Sequence, residues 1–142
     1  MGLFITIFAL GLVIFLHELG HMAVAKRFGI GVYEFSVGMG PKIWSFTKGE
    51  TLYSLRLFPL GGFVKLAGLD DEENQPEDKS KSYLYKPISQ RAAVISAGSI
   101  MNLITGLVIL ILAFFFLGVP SSLPVVNQII PDSPAAVSTL EA

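Results

Sequence analysis

Hydrophobic and polar positions divide the chain into two long apolar segments separated by a polar middle. Residues 2–25 are apolar apart from His17, Glu18 and His21, and residues 92–119 contain no charged side chain. The first segment alone is long enough to cross a bilayer as a helix, because about 20 apolar residues suffice. The pattern therefore predicts two membrane-spanning helices.

Between the two helices the pattern changes to short runs rich in β-branched and aromatic residues, with Gly and Pro between them. Such runs are typical of short antiparallel strands, and several are too apolar to face water. The predicted strands are residues 32–37, 42–47, 51–58 and 62–66. The predicted fold class is therefore membrane α+β, with two transmembrane helices flanking a small membrane-associated antiparallel β-sheet.

This pattern predicts five consecutive regions. They are a transmembrane helix at 1–25, a membrane-associated β region at 26–69, a polar acidic linker at 70–86, a second transmembrane helix at 87–119 and a tail at 120–142.

Composition supports a membrane protein and excludes several other classes. The chain of 142 residues is 52% hydrophobic and 15% charged, whereas soluble domains carry about 25% charged residues. A net charge of −1 implies no strongly charged partner, so no nucleic acid is expected, and the apolar composition indicates the lipid bilayer as a partner. The absence of cysteine excludes disulfides, cysteine zinc ligands and a cysteine nucleophile.

The basic residues predict the orientation in the membrane. All ten Lys and Arg lie between Lys26 and Arg91, so the positive-inside rule places loop 26–91 in the cytoplasm and both termini outside. The alternative, a cleaved signal peptide at the N-terminus, is disfavoured because no basic residue precedes the apolar stretch and Glu18 interrupts it.

Residues 17–21 read H-E-L-G-H, which matches the zinc-binding pattern H-E-x-x-H. On a helix, His17 and His21 share a face and can both bind one zinc ion, which makes water more acidic. Glu18 can then take a proton from that water as general base, and the outcome is peptide hydrolysis.

Position in the membrane favours this interpretation over a structural polar cluster. Glu18 lies eight residues from Lys26, and a charged residue in the middle of a spanning helix costs at least about 2.5–3.5 kcal/mol. Catalytic zinc usually takes three protein ligands, and the sequence offers only His17 and His21 securely. The third ligand must be Asp or Glu, and the second apolar segment contains neither.

Four motifs in order carry a family resemblance over nearly the whole chain. They lie at residues 17–21, 34–41, 59–65 and 90–102. Together they resemble the N-terminal portion of bacterial site-2 proteases, the intramembrane zinc metalloproteases of regulated intramembrane proteolysis. The family has Pro where this chain has Ser99, which bears on local helix geometry.

The resemblance implies a function and two further site residues. Family members cleave single-pass proteins of the bacterial inner (plasma) membrane, such as anti-sigma factors and signal-peptide remnants. By resemblance, Asn102 contacts substrate or the oxyanion, although a plain helix–helix hydrogen bond explains it equally. Gly62 lies in a strand that is expected to pair with extended substrate; the alternative is a structural edge strand or turn.

The resemblance also implies missing parts. Residues 125–140 are similar to the opening of the family's extracytoplasmic PDZ domain, and the family takes its third zinc ligand from an Asp-Gly motif in a later membrane helix. The 142 residues are therefore expected to be an N-terminal fragment with little or no activity alone.

Two other classes of function stay open. A non-catalytic homologue would bind membrane segments without cleaving them, and Glu18→Gln would leave its function intact. A metal-handling membrane protein, such as a transporter subunit, would move zinc across vesicles without proteolysis.

Overall fold

The computed structural model of the chain describes residues 1–69 and 78–118. Within them, the elements are helix α1 (Gly2–Arg27), strands β1 (Val32–Lys48) and β2 (Thr51–Leu66), two short 3-10 turns (Lys79–Lys81 and Tyr83–Tyr85), and helix α2 (Ile88–Leu117). The first eight residues of the predicted polar acidic linker (70–77) and the whole of the predicted tail (120–142), together with residue 119, lie outside the described residues.

Both helices are long and apolar enough to cross a membrane, and their apolar windows are not buried inside the protein. Helix α1 ends in Lys26 and Arg27, and the left-handed backbone of Gly29 follows. The chain divides into two compact units, Met1–Leu110 and Ile111–Ala142. In the second unit, the described residues are the last turns of α2 and Gly118. The prediction of a membrane α+β fold is confirmed.

The sheet consists of β1 and β2, which pair antiparallel at residues 44–48 with 51–55 and at residues 34–37 with 62–65, and each strand bends and so contributes two paired segments. Residues 34–37 of β1 pair with residues 52–55 of β2 on one side and with residues 62–65 on the other. Gly38, Gly40 and Gly61 have positive φ values at the bends, a conformation that glycine adopts without steric cost. The four predicted short strands therefore occur as the halves of two long ones.

The buried core lies at the end of α1 that carries the H-E-x-x-H motif. It joins α1, the first half of β1, the end of β2, the second 3-10 turn and the start of α2, and comprises Met22, Ala25, Ile30, Val32, Phe35, Leu66, Tyr83 and Val94. Backbone hydrogen bonds tie these elements together, such as Tyr83 N to Ala67 O at 2.7 Å. This packing fixes the motif beside the last part of β2 and the first turns of α2.

Candidate metal centre

His17, Glu18 and His21 lie in the second half of α1, and each is half-buried. The i, i+4 spacing puts the two histidines on one face of the helix, and their ring centroids are 4.8 Å apart. The two imidazoles are thus close enough to bind one metal ion, and their partial exposure leaves the rings accessible from one side.

Residues of helix α2 contact the Nδ1 atom of each ring. The Val94 carbonyl lies 2.7 Å from Nδ1 of His21, so a protonated Nδ1 donates to it and Nε2 keeps its lone pair. Metal-binding histidines usually have such a partner on the second ring nitrogen, which fixes the tautomer and the ring orientation. His21 is therefore held in the form that a metal ligand requires.

Asn102 occupies the equivalent position at His17. Its Nδ2 atom lies 3.1 Å from Nδ1 of His17, while its Oδ1 is buried without a hydrogen-bond partner among the described residues. Amide oxygen and nitrogen are assigned from the hydrogen-bond network and are interchangeable by a half-turn. With the amide turned, Oδ1 accepts from a protonated Nδ1, and His17 gains a free Nε2 as His21 does.

The Nε2 atoms of both rings lie close to Gly98 of α2. A Cβ atom built on Gly98 would lie 2.5 Å from Nε2 of His17 and nearer still to Nε2 of His21. Imidazole nitrogen is a usual zinc ligand at about 2.0–2.1 Å. Because both nitrogen atoms lie near one point, they are close enough for one zinc ion to bind both, and the pair supplies two of its ligands.

Glu18 lies on the side of the site formed by the sheet. Its Cγ atom is 3.5 Å from the position of a Cβ atom on Gly62. Next to Glu18 and His21 is a mainly apolar pocket of about 170 Å³, which is lined further by Val64, Leu66, Leu69, Tyr83, Val94 and Ile95. The Glu18 carboxylate thus lies next to the two histidines, the edge of β2 and a pocket large enough for one side chain.

The fold brings together all the residues predicted from the sequence: the three of the motif, Asn102 and Gly62. Sequence reasoning missed Val94 and Gly98. Their signal is spacing, because Val94, Gly98 and Asn102 are four residues apart and share one face of α2. Within residues 1–69 and 78–118, no group of three or more His, Cys, Asp or Glu side chains could hold a metal ion.

Comparison with known proteins gives matches over nearly the whole chain. Residues 5–141 match the model of peptidase family M50. Protease RseP of Yersinia pestis is 42% identical over 137 residues, or 96% of this chain and 30% of that protein. Regulator of sigma-E protease RseP of Salmonella typhimurium is 41% identical over 92% of this chain and 29% of its own length.

A third relative, from Clostridium perfringens, is named as a candidate zinc metalloprotease. It is 42% identical over 135 residues, which cover 95% of this chain and 38% of the relative. The chain therefore spans about a third of the length of these curated relatives.

Proposed function

Since the chain belongs to peptidase family M50, the site-2 protease family, we propose that it carries the catalytic helix of a zinc endopeptidase that cleaves transmembrane segments of single-pass proteins. One observation supports this above the others: two histidine Nε2 atoms lie together against Gly98, with Glu18 next to them and a strand edge adjoining. A metal ligand pair, a base and a peptide-binding edge are the parts that peptide hydrolysis in a membrane requires.

His17 and His21 would hold the zinc ion, and Val94 and Asn102 would orient their rings. A bound zinc ion supplies Lewis-acid activation of water and of the scissile carbonyl. Glu18 acts as general base: its carboxylate takes a proton from water and then gives it to the leaving amine. The proposed substrate contact of Asn102 uses the end of its amide that does not face His17.

Substrate binds in extended form in this proposal, because an intact helix shields its own backbone in a membrane. Among the described residues, Gly62, Phe63 and Val64 pair with β1 on one side only. An extended segment can add to the other edge as a further strand. That edge begins beside Glu18, so strand addition would bring a peptide bond to the base.

The third zinc ligand is proposed to lie outside the described residues, in an Asp-Gly motif of a later membrane helix, after a PDZ-like domain that begins within residues 120–142. Reading the coding sequence beyond Ala142 tests this directly. An apolar segment with Asp-Gly would complete the ligand set. A stop codon directly after Ala142 would contradict this source of the ligand and demote the protein to a binding-only homologue.

The proposed substrates are anti-sigma factors or signal-peptide remnants in the bacterial inner membrane. Two relatives support the first class, because their names are those of regulators of the sigma-E factor. The two apolar helices support the location.

The test of catalysis is Glu18→Gln in the protein as its gene encodes it, with cleavage of a single-pass reporter as the readout. Removal of a general base should lower the rate by roughly 10²–10⁴-fold, while zinc binding and the unfolding temperature stay unchanged. Glu50→Gln is the matched control, since Glu50 is an exposed carboxylate at the far end of the hairpin. Its reporter cleavage should equal that of the unchanged protein.

A non-catalytic homologue is the second candidate, and the lack of a three-residue ligand group within residues 1–69 and 78–118 favours it. Such a protein would bind single-pass segments equally well with Glu18 or Gln at position 18. Undiminished function of the Glu18→Gln variant would therefore reject the protease and select this alternative.

A further inference from the structure

Gly98 differs from the other described glycines in what surrounds its missing side chain. The three heavy atoms nearest to a Cβ atom built there all belong to imidazole rings: Nε2 of His21, and Nε2 and Cδ2 of His17. All three would lie under 3.0 Å from it, a separation that carbon atoms in folded proteins do not tolerate. A side chain at position 98 would therefore overlap both imidazole rings.

We propose that Gly98 is a positioning residue of the metal centre: the absence of its side chain lets the imidazole rings of His17 and His21 lie directly against α2, in the arrangement in which they bind a metal ion. The identity of that ion as zinc rests on the proposed function. A methyl group at position 98 would displace one or both rings from α2. At least one Nε2 atom would then lose its position toward the shared metal ion.

Close packing of the helix backbones does not account for Gly98. The helices approach each other at Gly20, where an added Cβ would meet the Ala97 carbonyl group and the Cβ of Met101. At Gly98 no backbone atom of α1 is among the three nearest atoms; all three belong to the rings that the H-E-x-x-H motif supplies. Small residues at helix crossings serve backbone contact, and Gly98 instead faces the polar groups.

The same helix offers a matched control. Gly106 also lies on α2, and a Cβ atom there meets nothing within 4 Å. Because Ala is a better helix former than Gly, both Gly98→Ala and Gly106→Ala favour the helix itself. Only the first brings a methyl group into contact with the histidine rings.

The experiment compares zinc binding by the protein as its gene encodes it with that by its Gly98→Ala and Gly106→Ala variants in detergent micelles, by competition with a chromophoric chelator. Loss of groups that orient metal ligands typically costs 10–100-fold in affinity, so Gly98→Ala should bind zinc at least tenfold more weakly and Gly106→Ala as well as the unchanged protein. ¹⁵N-histidine NMR reports on the two rings, whose signals are assigned by their loss in His17→Ala and His21→Ala. Zinc should shift both Nε2 signals in the unchanged protein and the Gly106→Ala variant.

Stability in the absence of metal supplies a second, independent readout. If Gly98→Ala lowers the unfolding temperature, the proposal attributes the loss to contact between the added methyl group and the two rings. A background that lacks both rings, His17→Ala with His21→Ala, should then remove the effect. In that background Gly98→Ala should be tolerated as well as Gly106→Ala. A persistent loss of stability there would assign Gly98 to helix packing and overturn the proposal.

The outcomes distinguish the role of Gly98 from the existence of the metal centre. Zinc binding by the unchanged protein with equal affinity in Gly98→Ala would overturn the role of Gly98 and leave the metal centre standing. No zinc binding by the protein as its gene encodes it, together with unshifted His17 and His21 signals, would overturn the metal centre itself, and the role of Gly98 with it.

Discussion

At the scale of single residues, Arg56 lies at the centre of a polar cluster outside the candidate metal centre. Its Nε donates to Ser36 Oγ at 2.9 Å, its Nη1 to the Gly40 carbonyl at 2.8 Å and its Nη2 to Glu34 Oε1 at 2.8 Å. Ser54 Oγ donates to the same Glu34 oxygen at 2.6 Å. The cluster joins the halves of β1 and β2 and so stabilises the sheet that adjoins Glu18.

This cluster sets the charge of Glu34. Burial alone would raise the pKa of Glu34, but hydrogen bonds from Ser54 and Arg56 and the positive charge of Arg56 outweigh burial and hold the pKa below its ordinary value. Since the folded-state pKa is lowered, the stabilisation is complete above the ordinary glutamate value of about 4.3 and is lost as the pH falls below it.

Glu34→Gln should therefore lower the stability by about 2 kcal/mol at pH 7, because hydrogen bonds to a charged group contribute about that much. The difference from the unchanged chain should shrink as the pH falls below about 4. Thermal unfolding in detergent at several pH values measures both effects. Glu50→Gln is the control. Glu50 pairs with Lys81 on the exposed surface, so loss of this ion pair should leave the unfolding temperature unchanged. An equal, pH-independent loss in both variants would contradict the role of the cluster.

Residues of the metal centre differ in how far the sequence could reveal them. His17, Glu18 and His21 follow from spacing within one helix, because i and i+4 share a face wherever the helix lies. Spacing places Val94 and Gly98 on the face of α2 that carries Asn102, but their contacts with the histidine rings could not be predicted, since these depend on how the helices meet. A glycine in an apolar helix has many uses, and only the positions of the rings distinguish Gly98.

At the scale of elements, the hairpin extends well beyond the buried core. Many of its large apolar side chains are exposed, namely Met39, Ile43, Trp44, Phe46, Leu55, Leu57, Phe58 and Leu60. Its other end, at Gly49 and Glu50, is polar and exposed. An exposed apolar surface of this size is characteristic of contact with a partner or a membrane, which supports the prediction of a membrane-associated sheet.

Trp44, the one tryptophan in the chain, makes this prediction testable. Its side chain is 59% exposed, so its fluorescence in vesicles should be quenched strongly by lipids brominated on the acyl chains. The control is Trp44→Phe combined with Glu50→Trp, which moves the indole to the polar end of the same hairpin. That indole should be quenched less; equal quenching at both positions would contradict insertion of the apolar end.

The boundaries of the strands show what the pattern could predict at this scale. Alternation and Gly–Pro punctuation located all four paired segments, because each turn needs a residue that tolerates it. Their joining into two long strands could not be predicted, since Gly38 and Gly61 allow a bend that keeps the strand continuous as readily as a turn that ends it.

At the scale of the whole molecule, the two helices and the charged middle of the chain decide where the chemistry takes place. The histidines and Glu18 lie within ten residues of Lys26, near the basic end of α1. If that end faces the cytoplasm, as the positive-inside rule predicts, cleavage would occur in the cytoplasmic half of a substrate's membrane segment. The third zinc ligand could not be located from this sequence, since no acidic residue lies in α2.

The absence of cysteine makes the orientation directly measurable. The variant Gly2→Cys places a single cysteine at the start of α1, where nothing lies within 4 Å of an added Cβ atom. The variant Ser80→Cys places it in the exposed 3-10 turn of the loop. In intact spheroplasts, a membrane-impermeant maleimide should label Gly2→Cys, and it should label Ser80→Cys only after the membrane is opened. The reverse pattern would place the basic loop and the metal centre near the outer face, and substrates would then be cut in the outer half of their membrane segments.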